Sequence, residues 1–145
     1  MKPLVAASSI GAATLMGGLA AFELALAAGV PWGHAAFGGA DAVLTPPFRV
    51  AAGISTVVWA GAALVVLRRA GHAVWAPLPS RALPVVVWVL AGYTALGTLV
   101  NVISPSAIER AIMVPVAASI SILCFVVAIA SRRARRSREL TIESP

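Results

Sequence analysis

Four apolar stretches fill most of this 145-residue chain, and each is long enough to cross a lipid bilayer. About 20 apolar residues suffice for a membrane-spanning helix. Lipid cannot satisfy exposed backbone groups, and the alternation of polar and apolar residues typical of barrel strands is absent, so the pattern predicts an all-α fold, a four-transmembrane-helix bundle. The predicted spans are residues 4–30, 48–67, 82–103 and 107–130, followed by a basic tail at 132–145 that is expected to be disordered.

The distribution of basic residues predicts the orientation of the bundle. The chain has 11 Lys and Arg residues. If both termini are cytoplasmic, nine of them lie on the inner side, and only Arg49 and Arg110 lie at the outer ends of the helices. Cytoplasmic segments carry an excess of Lys and Arg. The sequence therefore predicts a multi-pass protein of a plasma membrane, namely a bacterial inner membrane, with both termini cytoplasmic.

An alternative reading makes the first apolar stretch a cleaved signal peptide. Lys2 would supply the positive n-region, and Ala25-Leu26-Ala27 resembles a small-residue cleavage site. The stretch is longer than the roughly 7 to 15 residues of a usual h-region, and Glu23 is unusual in such a segment. A retained first span is therefore expected.

The net charge of +6 comes largely from five arginines directly after the last span. Because no soluble fold accompanies them, they predict contact with anionic lipids and exclude nucleic-acid binding. Besides the bilayer, the expected partners are a second copy of this chain or another membrane protein, since small residues four apart in the first span allow close helix packing. No cofactor is expected.

Glu23 is the one carboxylate clearly within a span. It lies seven residues before Val30, hence roughly 10 Å deep at about 1.5 Å per residue. A charged residue at this depth normally faces the bundle interior with a partner. The polar residues predicted near its level, as a ligand-binding or structural cluster, are Arg49, Asn101, Ser104, Ser106, Glu109 and Arg110, with Trp32 and His34 in the loop above.

This polar cluster has two interpretations. In the structural one, Glu23 and Arg49 form a buried ion pair, while Asn101 and the Ser-Pro-Ser turn close the outer end. In the functional one, the cluster lines an outward-facing cavity for an ion or polar ligand, Glu23 exchanges a proton or cation, and Trp32 and His34 line the entrance. Two histidines 38 residues apart are not a recognisable metal site, and no catalytic set is visible.

Local patterns add three expectations about the helices. Ser106 with Glu109 three residues on predicts a reciprocal capping box, so the fourth helix should start near Ala107. Cys124 should be buried in the fourth helix as a small packing residue. The third span carries a polar stripe that should face into the bundle, formed by Tyr93, Thr94, Gly97, Thr98 and Asn101.

Several short motifs along the sequence carry a resemblance that covers nearly the whole chain. They include Phe22-Glu23, Pro31-Trp32-Gly33, Gly38-Gly39, Arg49 and the run Asn101-x-x-Ser104-x-Ser106-x-x-Glu109-Arg110. This arrangement resembles a group of small four-helix bacterial integral membrane proteins that has no assigned reaction. An aromatic residue often stands in that group where this chain has Met113. The resemblance implies the four-helix architecture and points to the same residues.

These observations predict a non-enzymatic membrane protein, a structural or accessory subunit of a larger complex. The alternative is a small proton- or cation-coupled transporter that uses Glu23. Small multidrug exporters also have four helices and a Glu in the first, but the loops here are longer. The strong charge bias also does not suit their dual-topology dimers. A membrane enzyme would need an acid, base or metal set beyond one buried Glu.

Overall fold

The computed structural model describes the backbone of residues 3–143 and the side chains of residues 3–132. Its elements in chain order are α1 (Pro3–Ala28), two short 3-10 helices (Gly33–Ala35 and Phe37–Gly39), α2 (Pro46–Ala70), α3 (Leu83–Val102) and α4 (Ala107–Glu143). All four long helices have the length and apolar composition to cross a membrane, α4 over Ala107–Arg132. The predicted all-α, four-helix membrane fold is confirmed.

Glycine ends the first two helices. Gly29 follows α1 at φ +97° and donates its N–H to Leu26 O at 3.0 Å, while Val30 donates to Ala25 O at 3.0 Å. This pair of bonds is the Schellman motif, which needs a residue in the left-handed region. Gly71, at φ +104°, ends α2 in the same way. The first helix therefore stops two residues before the predicted 30.

Proline marks the start of α2, and serine marks the start of α4. Pro46 and Pro47 open α2, two residues before the predicted 48, because proline suits the first turn, where no backbone donor is needed. Ser106 accepts a hydrogen bond on its Oγ from Glu109 N at 3.2 Å. This N-cap places the start of α4 at Ala107, as predicted.

The prediction for the tail needs correction. The backbone of α4 is helical to Glu143, well beyond the predicted end of the span at 130, whereas residues 132–145 were expected to be disordered. The physical reason lies in the composition, because no Gly or Pro occurs between Val116 and Glu143. Arginine, alanine, leucine and glutamate are all good helix formers, so nothing in that segment stops the helix.

The helices pack as two close pairs, α1 with α2 and α3 with α4, joined through the contact of α1 with α4. Direct contact between α2 and α3 is sparse. A Cβ on Gly11 of α1 would lie 3.3 Å from Leu123 Cδ1 of α4, which shows how closely those two helices approach. The first helix therefore packs closely against both α2 and α4.

The main core fills the middle of the bundle and its inner half, the half that leads to the 71–82 loop. Its fully buried members include Met16, Val65, Val66, Val87, Ile120, Cys124 and Val127. Cys124 is fully buried, as predicted. The opposite end carries the 29–45 and 103–106 loops, and we call it the outer end after the charge-based prediction. It holds only a small second cluster around Leu26 and Leu44.

Candidate functional site: a cavity beneath the outer cap

The loop after α1 folds over the outer end of the bundle. Its two 3-10 helices span residues 33–39, which we call the cap. Ala35 and Ala36 of the cap are buried against the helices. Gly33 is required by close approach, since a Cβ there would lie 2.2 Å from Asp41 O. Phe37 has φ +50°, which is strained for a residue with a side chain.

The start of α4 holds the cap in place. The carboxylate of Glu109 accepts a hydrogen bond from Gly38 N at 3.1 Å and another from Ser104 Oγ. The Ser106 hydroxyl donates to His34 O at 2.5 Å, and a Cβ on Gly39 would lie 2.6 Å from Ser106 Cβ. Two side chains of one helical turn thus fasten the cap at two points.

This arrangement corrects half of the predicted capping box. Ser106 caps the helix as expected, but the Glu109 side chain does not return to the Ser106 N–H. That N–H donates to Ser104 Oγ at 3.3 Å instead. Because Ser104 Oγ accepts from the Ser106 N–H, the Glu109 carboxylate is available to accept the hydrogen bond from Gly38 N in the cap. Arg110 supports the same turn by donating from Nη1 to Ser104 O.

The predicted ion pair between Glu23 and Arg49 is absent, which is a correction. Arg49 donates from Nε to Ala27 O at 2.9 Å, and its guanidinium lies against Gly29. The last turn of a helix has carbonyls without intrahelical donors and a partial negative charge, and both attract a cation. Arg49 therefore caps the end of α1 and lies in a separate depression beside Pro46.

Trp32 and His34 also lie away from the position expected for them. The Trp32 ring stacks on Phe22 with centroids 6.3 Å apart and planes within 6°. His34 is exposed and donates from Nδ1 to Gly39 O at 2.9 Å, within the cap. Neither side chain lines the cavity described next. Their role at its entrance stays a prediction, although Phe22 and Ala35 beside them do line the cavity.

A cavity of about 420 Å³ lies directly beneath the cap, among the outer halves of all four long helices. Three members of the predicted cluster, Glu23, Asn101 and Glu109, line it together. Four of the five residues of the predicted polar stripe of α3 do so as well. Most of this face therefore borders the bundle interior, although Tyr93 is also 61% exposed. The other lining residues of the cavity include Leu19, Phe22, Ser55, Trp59, Tyr93, Thr94, Gly97, Met113 and Val116.

The hydroxyls of the α3 stripe are less available than the sequence indicates. Thr94 donates to Leu90 O at 2.8 Å, and Thr98 donates to Thr94 O at 2.8 Å, so both hydroxyl protons are used within α3. Thr98 does not line the cavity. Besides the Glu23 carboxylate, the polar side chains left to face the cavity are therefore the Asn101 amide and the hydroxyls of Ser55 and Tyr93.

The charge of the cavity is one-sided. Two acidic residues, Glu23 and Glu109, line it, and no basic residue is among its described lining residues. Glu109 is satisfied by its bonds to Gly38 and Ser104. The Oε2 atom of Glu23, by contrast, is buried without a hydrogen-bond partner. A buried acceptor left unpaired costs about 1–3 kcal/mol, more when it is charged.

Aromatic rings form a wall of the cavity between α2 and α3. The Trp59 and Tyr93 ring centroids are 6.3 Å apart, with planes tilted by 48°. Ring faces attract cations through their quadrupoles. Trp59 was not among the predicted site residues. Its position carries a signal, however, because tryptophans of membrane proteins usually lie at the interfaces and this one lies in the middle of its span.

Within the described residues, no group of three or more His, Cys, Asp or Glu side chains is arranged to hold a metal ion. The site therefore consists of one orphaned carboxylate, an amide and an apolar, aromatic enclosure. Such a site can bind a molecule that brings a positive charge or a strong donor to Glu23.

Comparison with known protein families, with curated proteins and with solved structures finds no match to this chain. The resemblance to small four-helix bacterial membrane proteins stays a prediction. Met113, where that group often has an aromatic residue, lines the cavity.

Proposed function

We propose that this protein is a non-enzymatic membrane protein that binds a small cation in its outer cavity, with Glu23 as the counter-charge. The observation that carries the proposal is the buried Oε2 of Glu23, which has no hydrogen-bond partner beside a cavity lined by two acidic residues and by no described basic one. A carboxylate in a low-dielectric site is normally paired. A bound cation supplies the missing partner.

Two wider roles remain compatible with such a site. As an accessory subunit, the protein would present the cavity within a larger complex, and a stoichiometric partner should then co-purify from native membranes. As a proton- or cation-coupled transporter, it would move the bound cation across the membrane. The unpaired carboxylate favours this second role, because a group that exchanges ligands cannot be locked in a permanent ion pair.

The test of cation binding uses equilibrium titration with butyltrimethylammonium of the protein in lipid nanodiscs. Trp59 reports occupancy in a variant whose other tryptophans (Trp32, Trp75 and Trp88) are replaced by Phe. We expect Glu23→Gln to weaken binding at least tenfold, about 1.4 kcal/mol, because the amide offers no negative charge.

The matched control is Asp41→Asn, which removes the same charge from an exposed residue of the same outer loop that does not line the cavity. It should leave the affinity unchanged. Equal affinity of the wild type and Glu23→Gln would disprove the proposed site.

The membrane setting belongs to the same proposal: a bacterial inner membrane, both termini cytoplasmic, the cap outside and the basic end near anionic lipids. It is supported by the excess of Lys and Arg on the inner side. Reporter fusions after Gly39 and after Pro145 should report opposite sides of the membrane. Finding both reporters on one side would contradict this orientation.

A further inference from the structure

The cavity has two boundaries toward its surroundings, and they differ. Toward the outer aqueous side it is covered by the cap, whose Ala35 and Ala36 are both buried and line it. The cap is fastened by Glu109 to Gly38 N and by Ser106 to His34 O. The cap therefore covers the outer aqueous side of the cavity.

The boundary toward the lipid, between α2 and α3, is only partly covered. The Trp59 and Tyr93 rings cover its deeper part. Tyr93, Leu96 and Val100 of α3 line the cavity, yet 61%, 61% and 56% of their surface is exposed. A Cβ on Gly97, between them, would have no neighbour within 4 Å. Because α2 and α3 touch only sparsely, little protein covers the cavity on this side, which we call the gap between α2 and α3.

The depth of Glu23 fits a ligand that lies in the membrane. The residue is five positions before the end of α1, about 8 Å below the end of the helix at 1.5 Å per residue. A membrane-bound amphiphile holds its charged head near the interface and its apolar body in the hydrocarbon. The cavity offers the same order, since Glu23 and Asn101 are toward the outer end and Leu19 and Trp59 lie deeper.

Resting on the proposed function, we infer that the ligand is an amphiphilic organic cation that enters from the lipid through the gap between α2 and α3. Its ammonium head pairs with Glu23, and its apolar body lies against the aromatic and aliphatic wall. A small inorganic cation fits this site poorly, because most of the lining residues are apolar and cannot replace a hydration shell.

The test measures association rates, by stopped-flow Trp59 fluorescence in nanodiscs, for alkyltrimethylammonium ions from ethyl to hexyl. Each methylene raises partitioning into the bilayer by about 0.8 kcal/mol, roughly fourfold. Entry from lipid therefore predicts an association rate, per total aqueous concentration, that rises about fourfold per methylene. A rate independent of chain length would overturn the inference.

Two variants locate the route. Gly97→Leu places a side chain in the gap and should slow association of the hexyl compound at least fivefold. Gly92→Leu is its matched control, because Gly92 lies on the same helix with equally open space and does not line the cavity. Equal slowing by both, or no slowing by Gly97→Leu, would contradict the route.

Ser106→Ala tests the alternative route through the cap, since it removes the hydroxyl that donates to His34 O. Entry from lipid predicts an unchanged rate, whereas faster association would mean entry from water and overturn the inference. The outcomes separate the two proposals. Glu23-dependent equilibrium binding with rates independent of chain length leaves the proposed function standing, and no Glu23-dependent binding by any member removes both.

Discussion

The inner and outer halves of this bundle are built from the same four helices, but the inner half is closely packed and the outer half encloses a cavity. The middle and inner half close around fully buried side chains such as Met16, Val66 and Ile120. The outer half leaves a cavity of about 420 Å³ and places two carboxylates in it. Between membrane helices, dispersion contacts supply much of the stability. The outer half therefore contributes less to the stability of the fold than the inner half does. Such a loosely packed region is typical of a binding site.

The largest expected effect tests this contrast with one substitution made in both halves. Met16→Ala in the inner core should lower the free energy of unfolding by about 2–5 kcal/mol, because it leaves a new void among fully buried side chains. Met113→Ala should cost less than about 1 kcal/mol, since Met113 already borders empty space. Unfolding in mixed micelles measures both variants, and equal losses would mean that the two halves are equally well packed.

A smaller effect is expected at the cap. Glu109→Ala leaves Gly38 N–H and the Ser104 hydroxyl without their acceptor, which should cost about 1–3 kcal/mol of local stability. Amide exchange in residues 33–39 should then accelerate about ten- to a hundredfold, while the inner halves of the helices stay protected. Asp41→Ala, at an exposed carboxylate of the same loop, is the control. Exchange that rises throughout the bundle would show that the two halves do not open separately.

The smallest expected effect is the coupling between Glu23 and Arg49. Because Arg49 bonds to Ala27 O and Glu23 lines the cavity, the changes Glu23→Gln and Arg49→Ala should alter stability additively, with a coupling energy below about 0.5 kcal/mol. Thermal melting of both single variants and the double variant gives this number. A coupling energy of about 1 kcal/mol or more would show that Glu23 and Arg49 do form an ion pair. The main support for a cation site would then be lost.

Features that depend on local chemistry could be predicted from the sequence. Hydropathy locates all four spans, and Ser106 locates the start of α4. The inward face of α3 follows from helical spacing, and Glu23, Asn101 and Glu109 were correctly grouped by depth. These predictions succeed because lipid imposes one backbone solution and because depth along a helix scales with residue number.

Features that depend on how helices rotate against each other could not be predicted. Glu23 and Arg49 lie at similar depth, but depth does not say which groups each side chain meets. Glu23 lines the cavity, whereas Arg49 bonds to Ala27 O. The gap between α2 and α3 is also invisible in the sequence, because residue types do not show how closely two helices pack. The hydrogen bond between Glu109 and the cap likewise depends on the folded position of Gly38, which lies 71 residues earlier in the chain.

The length of α4 has a mechanical consequence. Its 37 residues form one helix of about 55 Å, nearly twice the roughly 30 Å of the hydrocarbon layer. The first turn of α4 hydrogen-bonds to the cap, and its last turns belong to the arginine-rich segment. The two ends of the molecule are therefore connected by a single rod without an intervening loop. Pro115 removes one backbone donor from this rod, which makes the turn after Ala111 its softest point. A pull on the basic end would therefore be carried along a continuous backbone to Ser106 and Glu109, which fasten the cap over the cavity.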